Sequence, residues 1–591
     1  MEESSAKLFC CSWVRQRVPL AYREELYHIL SMTGPLLLTR ILTYLLPFVV
    51  TMFCGRLGNE VMAGYGLANG ALNITTVATG FGLALACDTL VSQTFGGRNL
   101  LRVGVILQRS ILILLLFCLP CWGLLINAQA ILLCLGQDPA VVRIAQLYIT
   151  AYLPAVPVLF MNHLQVSYLQ NQGIIRPQLY TTAMANIANL ATNYILIHWL
   201  DLGVNGSAAA NTLSQFYNSA FLFAYIWWKK LHVKTWGGWS LASLQEWGSF
   251  MKLALPSTLM ICFEWWLYEF GSVFAGVLSE YDLAAQHSVI MLAYINYMFP
   301  LGIQGATCVR VGNALGAGDT AGAILTSKVS LALAGVMAIT QGVVLSSAKT
   351  VIGFLFTSEQ KIVDLVSQLM SVYAAVQLFD ALVCVCTGIF LGSGKQKIAA
   401  VSNFIGYYFI GLTLSITFMF VAKLRILGFW LGLLICVSLQ STFYIIVIIF
   451  KLNWETITEE AVKRARKNTD VASLRTAVLS DAVGNDTADQ RATTGSSVDG
   501  YISVSTDSQE GNTGAESGHV VQQSEHGRLS TTQLILRRGL TAFAAVALLA
   551  VGTSVHFLVP LPEILPSEGN LTMGWINTTH PPDQIQSTLL V

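Results

Sequence analysis

Charge is what this chain of 591 residues has least of. Asp, Glu, Lys and Arg make up 11% of it and hydrophobic residues 54%, whereas an ordinary soluble domain is about one-quarter charged. That balance excludes a water-soluble globular protein. A formal net charge of +1 offers no basic surface for nucleic acid. The phosphate-cradling pattern G-x-x-x-x-G-K-[ST] is missing. Its nearest relative, GSGKQK at 392–397, has neither the spacing nor the following Ser or Thr, which argues against ATP hydrolysis. Also missing are a metal-ligand cluster and a nucleophile with a paired base, so no enzyme chemistry, metal or organic cofactor is expected. Of the twelve cysteines, Cys54, Cys87, Cys262, Cys308 and Cys436 lie in apolar segments, where a reduced thiol packs as a small hydrophobe and no disulfide framework is expected. Cys118 and Cys121 have CxxC spacing inside LLLFCLPCWGLL, with no His or acid beside them, and are read as packing. The opening MEESSAKLFCCSWVRQR lacks the apolar core of a secretory signal, which leaves the first membrane helix as the targeting signal. Cys10 and Cys11, beside basic residues, are palmitoylation candidates.

Long apolar runs are abundant. A helix crosses the hydrocarbon core with about 20 apolar residues, because its backbone must be satisfied within the segment. Runs at 30–52, 63–88, 104–126, 142–168, 178–199 and 207–228 form one group, and runs at 251–278, 283–308, 325–348, 362–391, 398–421 and 426–450 a second. From residue 453 to about 533 the chain turns rich in Ser, Thr, Asp, Glu, Gly and Gln, a composition that reads as a disordered linker. A thirteenth run, 539–559, follows Arg537 and Arg538. Sixteen Lys and Arg fall on the N-terminal side or in even-numbered loops, against six in odd-numbered loops, so the N-terminus is expected in the cytosol. The expected domains are a cytosolic N-terminus (1–29), a six-helix bundle (30–228), a cytosolic linker (229–250), a second six-helix bundle (251–450), a disordered cytosolic linker (451–538), the thirteenth helix (539–559) and an extracellular tail (560–591). The sequons at Asn570 and Asn577 agree with an outside C-terminus.

The two groups repeat. A shift of about 221 lays Gly34-Pro35 on Leu255-Pro256 and Asn171-Gln172-Gly173 on Gly392-Ser393-Gly394, and a shift of about 220 lays SQTFGGRN (92–99) on GNALGAGD (312–319). Six spans per copy is an even number, so both copies enter from the same side. The expected fold is an all-α polytopic membrane protein, two six-helix bundles related by a parallel repeat plus a thirteenth C-terminal transmembrane helix. Transporters use such paired bundles for alternating access.

Ionisable groups deep in a span are costly and are functional hypotheses by default. The seventh run, LALPSTLMICFEWWLYEFGSVFAG, carries Glu264 and Glu269. At about 100° per residue Glu264, Tyr268 and Gly271 share a face, while Glu269 is turned about 140° from Glu264. Glu264 lies near mid-depth, where lost hydration penalises the charged form and fits a proton carrier. The alternative is a protonated Glu bonded to a neighbouring helix. Asp380, in the tenth run, is the second deep acid, with Gln377 placed to satisfy it in a purely structural role. At the repeat shift they correspond to Thr43 and Leu159, which confines both deep acids to the second bundle. Trp265, Trp266, Tyr268, Tyr294 and Tyr297 are candidates to line an aromatic site for an organic cation, with membrane packing as the alternative. Asp88, Gln93, Arg310, Asn313 and Gln377 are read as gate or structural polar groups. Arg40, about ten residues into the first run, either snorkels or pairs with an acid.

CGRLG (54–58), GFGLALACDTLVSQTFG (80–96), VGVILQRS (103–110), LQNQGI (169–174), WGGWSL (236–241), FEWWLYEFGS (263–272), VRVGNALGAGD (309–319) and LGSGKQK (391–397) resemble the vertebrate multidrug and toxin extrusion transporters, over about residues 1–455. The thirteenth helix behind a polar linker is similar to the animal members as well. The resemblance implies a multi-pass solute carrier of the plasma membrane that exchanges a cytosolic organic cation for an external proton. By it, Glu264 matches the essential acid of the seventh helix, Glu269 its companion, and Asp380 the acidic position of the tenth. The chain departs from the pattern at Met291, where a further acid is implied, at Gln377, where His is, and at Arg40, where a neutral polar residue is. One monovalent cation for one proton is electroneutral, so a one-unit pH difference supplies about 1.4 kcal/mol, or tenfold accumulation. Three other classes stand beside this reading: a lipid-linked precursor flippase, a sodium-coupled exporter, and a non-transporting scaffold or receptor.

Overall fold

The computed structural model describes residues 19–356, 359–466 and 530–561. All regular elements among the described residues are helices. Span 1 is Leu20–Leu57, and span 2 runs Asn59–Leu72, through a π-helical turn at Asn73–Val77, into Ala78–Gly96. Span 3 is Leu100–Ile126. Span 4 is broken into Pro139–Tyr152 and Ala155–Gln170, bent by 59°; Pro154 has no N–H to continue the ladder and disfavours helix in the residue before it. Span 5 is Arg176–Tyr194 with a π-helical end at Ile195–Trp199, and span 6 is Gly203–Trp228. The second half follows as span 7 (Trp247–Leu278), span 8 (Glu280–Ala317), span 9 (Thr320–Ala348), span 10 (Gln360–Ser393), span 11 (Gln396–Val421) and span 12 (Ile426–Lys451). Span 13 is Thr531–Leu558. Nine of these are long and apolar enough to cross a membrane, or ten if bent span 4 counts as one. Spans 5, 6 and 7 have the length but a heavier polar load, which they bury: Asn189, Asn193, Asn211, Asn218 and Glu264 are all under 9% exposed or at it.

The repeat is visible in backbone detail. Gly173 and Gly394, one repeat apart, end spans 4 and 10 at the same φ of 75°, a left-handed conformation that costs Gly nothing. Asn99 and Asp319, also repeat partners, cap spans 3 and 9 by accepting from the backbone N–H three residues on, of Arg102 and Gly322. Span 1 packs along span 8, and span 2 along span 7. These two pairings exchange when the halves exchange, as a pseudo-twofold axis along the bundle direction requires.

We call the face from which the described chain sets out at Pro19 the near side and the opposite face the far side. Each bundle has a core of its own. A third core joins them: Ala78 and Leu85 of span 2 pack with Met260 and Ile261 of span 7, Cys308 of span 8 and Phe390 of span 10. It lies toward the near side, so the cleft between the bundles narrows there.

The polar tail after span 12 departs from expectation. Disorder was expected from residue 453, yet Trp454–Arg466 is a helix lying on the near side. Ile457, Thr458, Ala461 and Ala465 are its buried residues, a helical stripe that the surrounding Ser- and Asp-rich composition dilutes. Span 13 also starts earlier than the expected 539, with Ser530 and Gln533 forming a capping box. It lies outside both bundles against span 3: Gly552 meets Gly123, and Asn127 donates to Gly552 O at 2.8 Å.

Candidate functional site

Span 7 reaches the middle of the protein as one helix, with Pro256 in its second turn-pair leaving the segment that follows free of further breaks. The side chain of Glu264 is therefore delivered at a fixed depth, and it is 9% exposed. Tyr297 of span 8 donates its hydroxyl to Glu264 Oε1 at 2.8 Å. Asp380 of span 10 is likewise 9% exposed and lies within electrostatic range of Glu264. Tyr268, Tyr297, Cys384 and Tyr407 each sense both carboxyls. Spans 7, 8, 10 and 11 thus enclose two acids in a ring of hydroxyls and one thiol. Tyr407 Oη and Trp266 Nε1 are buried without a hydrogen-bond partner among the described residues.

Glu269 lies about a turn and a half farther toward the far side, half-buried, within electrostatic range of Tyr294. Tyr294 and Tyr297 are three residues apart on span 8, so the two glutamates address neighbouring positions along one tyrosine face despite their angular offset. Tyr294 is 42% exposed, and its ring stands 6.3 Å from that of Tyr44 on span 1. The Tyr44 hydroxyl contacts Met291 Sδ at 3.5 Å, which places the Met291 departure in this same cleft. Trp265 turns the other way and stacks on Phe81 of span 2, centroids 6.3 Å apart and planes 15° from parallel.

Gln377 does not satisfy Asp380. Its amide donates to the backbone oxygens of Ala338 at 2.7 Å and Ala374 at 3.3 Å, binding span 10 to span 9. A side chain one turn from an acid on a helix is placed by its rotamer, and here the groove between spans 9 and 10 takes it. Asp88 is held inside the first bundle, accepting from Ser167 Oγ and Asn171 Nδ2, both at 2.5 Å. Arg40 does not snorkel to an interface: its guanidinium carbon sits 5.7 Å above the Phe81 ring, in electrostatic range of Asp88.

Two of the polar residues read from sequence as gates, Gln93 and Asn313, meet at the near side. Gly96 packs on the backbone of Asn313, and its repeat partner Gly316 on the backbone of Gln93; a Cβ at either would collide with a carbonyl. Ser92 and Gly312, repeat partners of each other, touch between them. Gln93 also donates to Gly392 O at 2.9 Å and accepts from Arg464 Nη1 at 2.8 Å. Glu460 on the same short helix accepts from Lys395 and Arg464, each at 3.0 Å. Burial pushes the Glu460 carboxyl up, but those two cations outweigh it and hold it below the usual carboxylate range. Arg310 is paired with Glu25 of span 1, which also accepts from Thr326 at 2.7 Å. Asn570 and Asn577 lie outside the described residues.

Sequence reasoning missed Phe81, Cys384, Tyr407, Glu25, Glu460 and Arg464. The first three read as ordinary membrane hydrophobes, and the last two fell in the stretch taken for disorder. Glu25 carried a usable signal, an acid at the head of an apolar run.

Two repeated helical bundles, packed on each other at one face, with two buried carboxyls enclosed by the second bundle, make up a membrane transporter and not an enzyme. The chain belongs to the multidrug and toxin extrusion family: it matches the MatE family over residues 35–195 and 256–417, two stretches offset by the same spacing as its internal repeat. It is 46% identical to multidrug and toxin extrusion protein 1 of Danio rerio, over 93% of this chain and 94% of that protein. Identity is 44% to the Homo sapiens protein of that name, with 91% and 94% covered, and 47% to multidrug and toxin extrusion protein 2 of Mus musculus, with 75% and 77% covered. Among solved structures, the eukaryotic MATE transporter AtDTX14 is similar with a TM-score of 0.72 and 27% identity, covering 75% of this chain and all of that one.

Proposed function

We propose that this transporter exports organic cations from the cytosol in exchange for external protons, with Glu264 as the coupling carboxyl and Asp380 as its partner. The observation that carries the reading is the pair of buried acids, Glu264 and Asp380, in one tyrosine-lined ring, with Glu264 held by the 2.8 Å bond from Tyr297. Deprotonated, the pair attracts a cation that Tyr268, Tyr297 and the nearby Trp266 can cover with ring faces. Proton binding cancels the attraction and expels the cation. Glu269 and Tyr294, nearer the far side, form a second attractive position on the path between the pair and that face. No cofactor beyond the proton is required.

The near side is then the cytosolic one, and the observed arrangement, closed there, is the outward-facing state from which cations leave and protons arrive. The excess of basic residues in the near-side loops supports this orientation, as do sequons in the tail that follows span 13. The vertebrate relatives support a plasma-membrane location. Organic cations, protons and the lipid bilayer are the partners this reading needs.

Uptake of radiolabelled tetraethylammonium into cells expressing the chain, with and without an outward proton gradient, tests it. Gradient-stimulated uptake that Glu264→Gln abolishes at equal surface abundance is the expected result. Uptake that ignores both the gradient and the mutation rejects proton coupling through Glu264. Dependence on sodium instead identifies the sodium-coupled alternative.

A further inference from the structure

The buried charges of the two bundles are unevenly compensated. In the second bundle, Glu264, Glu269 and Asp380 have no Lys or Arg in electrostatic range among the described residues. In the first bundle, Asp88 has Arg40. Asp88 Oδ1 is saturated by Ser167 and Asn171, and Arg40 forms no hydrogen bond or ion pair with it at contact distance. The guanidinium lies instead on the Phe81 ring at 5.7 Å, with His163 beside that ring at 5.7 Å and the Cys384 thiol in electrostatic range. Phe81 is the ring that stacks on Trp265 across the two bundles. One aromatic surface facing the first bundle is therefore taken by a cation the protein itself supplies, and the acid behind it is electrically cancelled.

We propose that Arg40 is a specificity-determining residue. Resting on Phe81 and offsetting the charge of Asp88, it leaves the first-bundle side with no net attraction for a second positive charge, so that the transporter accepts singly charged organic cations and discriminates against dications. This rests on the cation-transport reading above. A fixed like charge inside a low-dielectric cleft acts on a dication's second charge at short range, where water screens little. Removing Arg40 frees Asp88 and the Phe81 face together, converting a neutral position into an attractive one for a second quaternary group.

The test is binding to the purified full chain, measured by calorimetry with tetraethylammonium and with bis-quaternary decamethonium, for the wild type, Arg40→Gln, Asp88→Asn and the double variant. The wild type is expected to bind the monocation more tightly, and Arg40→Gln to shift the ratio of dissociation constants toward decamethonium by roughly tenfold or more. Adding Asp88→Asn should reverse most of that shift. A purely structural role for Arg40 would weaken both ligands alike and leave the ratio unmoved. An unchanged ratio in folded Arg40→Gln, or a shift that survives in the double variant, overturns the proposal. Should Arg40→Gln fail to fold, Asp88→Asn alone decides: it leaves Arg40 uncancelled and must weaken decamethonium more than tetraethylammonium, and equal effects overturn the proposal. Failure of wild-type binding to both ligands overturns the cation reading itself, whereas proton-insensitive uptake touches only the coupling.

Discussion

Glu264 sits where two requirements meet. As the proposed coupling carboxyl it must be desolvated enough to exchange a proton near cellular pH, and it must keep a hydrogen-bond donor so that its charged form survives burial. Tyr297 supplies that donor at 2.8 Å. A bond to a charged acceptor contributes about 1.5–3 kcal/mol, so Tyr297→Phe, which keeps the ring and removes only the hydroxyl, should raise the half-saturating tetraethylammonium concentration roughly tenfold or more. Initial-rate uptake at matched expression measures this, and an unchanged KM would dissociate the tyrosine from the carboxylate's charged state. Asp380→Asn should reduce exchange less than Glu264→Gln does, since among the described residues no donor holds it in place. Glu264 and Tyr297 were legible because an acid and polar rings stand out in an apolar run. Phe81 and Tyr407 were not, because packing in the membrane and lining a cleft draw on the same residue types.

Helix ends, more than helix middles, distinguish the closed side. Gly96 and Gly316 bring the backbones of spans 2 and 8 into contact, each against the opposite half's gate residue. A methyl group there meets a carbonyl that cannot rotate away, and overpacking of this kind costs about 1–3 kcal/mol. Gly96→Ala and Gly316→Ala should therefore bias the protein toward the state with the near side apart, and by similar amounts. Thiol labelling of an added Asn313→Cys should rise when Gly316→Ala is combined with it; unchanged labelling would show that the contact does not govern closure. The Trp454–Arg466 helix latches the same face through Glu460, whose carboxyl is held below its usual range by Lys395 and Arg464 despite burial. A depressed carboxyl contributes stability above its unfolded pKa, and that contribution is lost as pH falls through the lower folded value. Hydrogen exchange over 454–466 should accelerate on such acidification and lose that response in Glu460→Gln.

At the scale of the molecule, spans 1 with 8 and 2 with 7 form a pseudo-twofold pairing across a shared core, while each bundle keeps a core of its own. Span 13 takes no part in that pairing. It rests on span 3 through Gly123 and Gly552, and Arg538 at its start donates to Leu244 O at 2.8 Å and lies over the Trp247 ring at 4.4 Å. Truncation before residue 530 should leave the KM for tetraethylammonium within about twofold of the full chain, with any loss confined to surface abundance. A large change in KM would instead tie span 13 to the transport cycle.

The sequence by itself determined the apolar spans, the repeat with the sense of its second copy, and the identity of the buried acids. Each follows from local rules: an apolar stretch must satisfy its own backbone in lipid, a parity of six fixes the sense of the second copy, and a charge inside an apolar run is visible as such. Only the tertiary structure decided which polar groups meet. Gln377 turned to the backbone of span 9 and away from Asp380, Arg40 came to rest on Phe81, and a helix emerged at 454–466 from a stretch whose composition hid its apolar face. Such partnerships depend on rotamers and on helices distant in the chain, and no local pattern in the sequence specifies them.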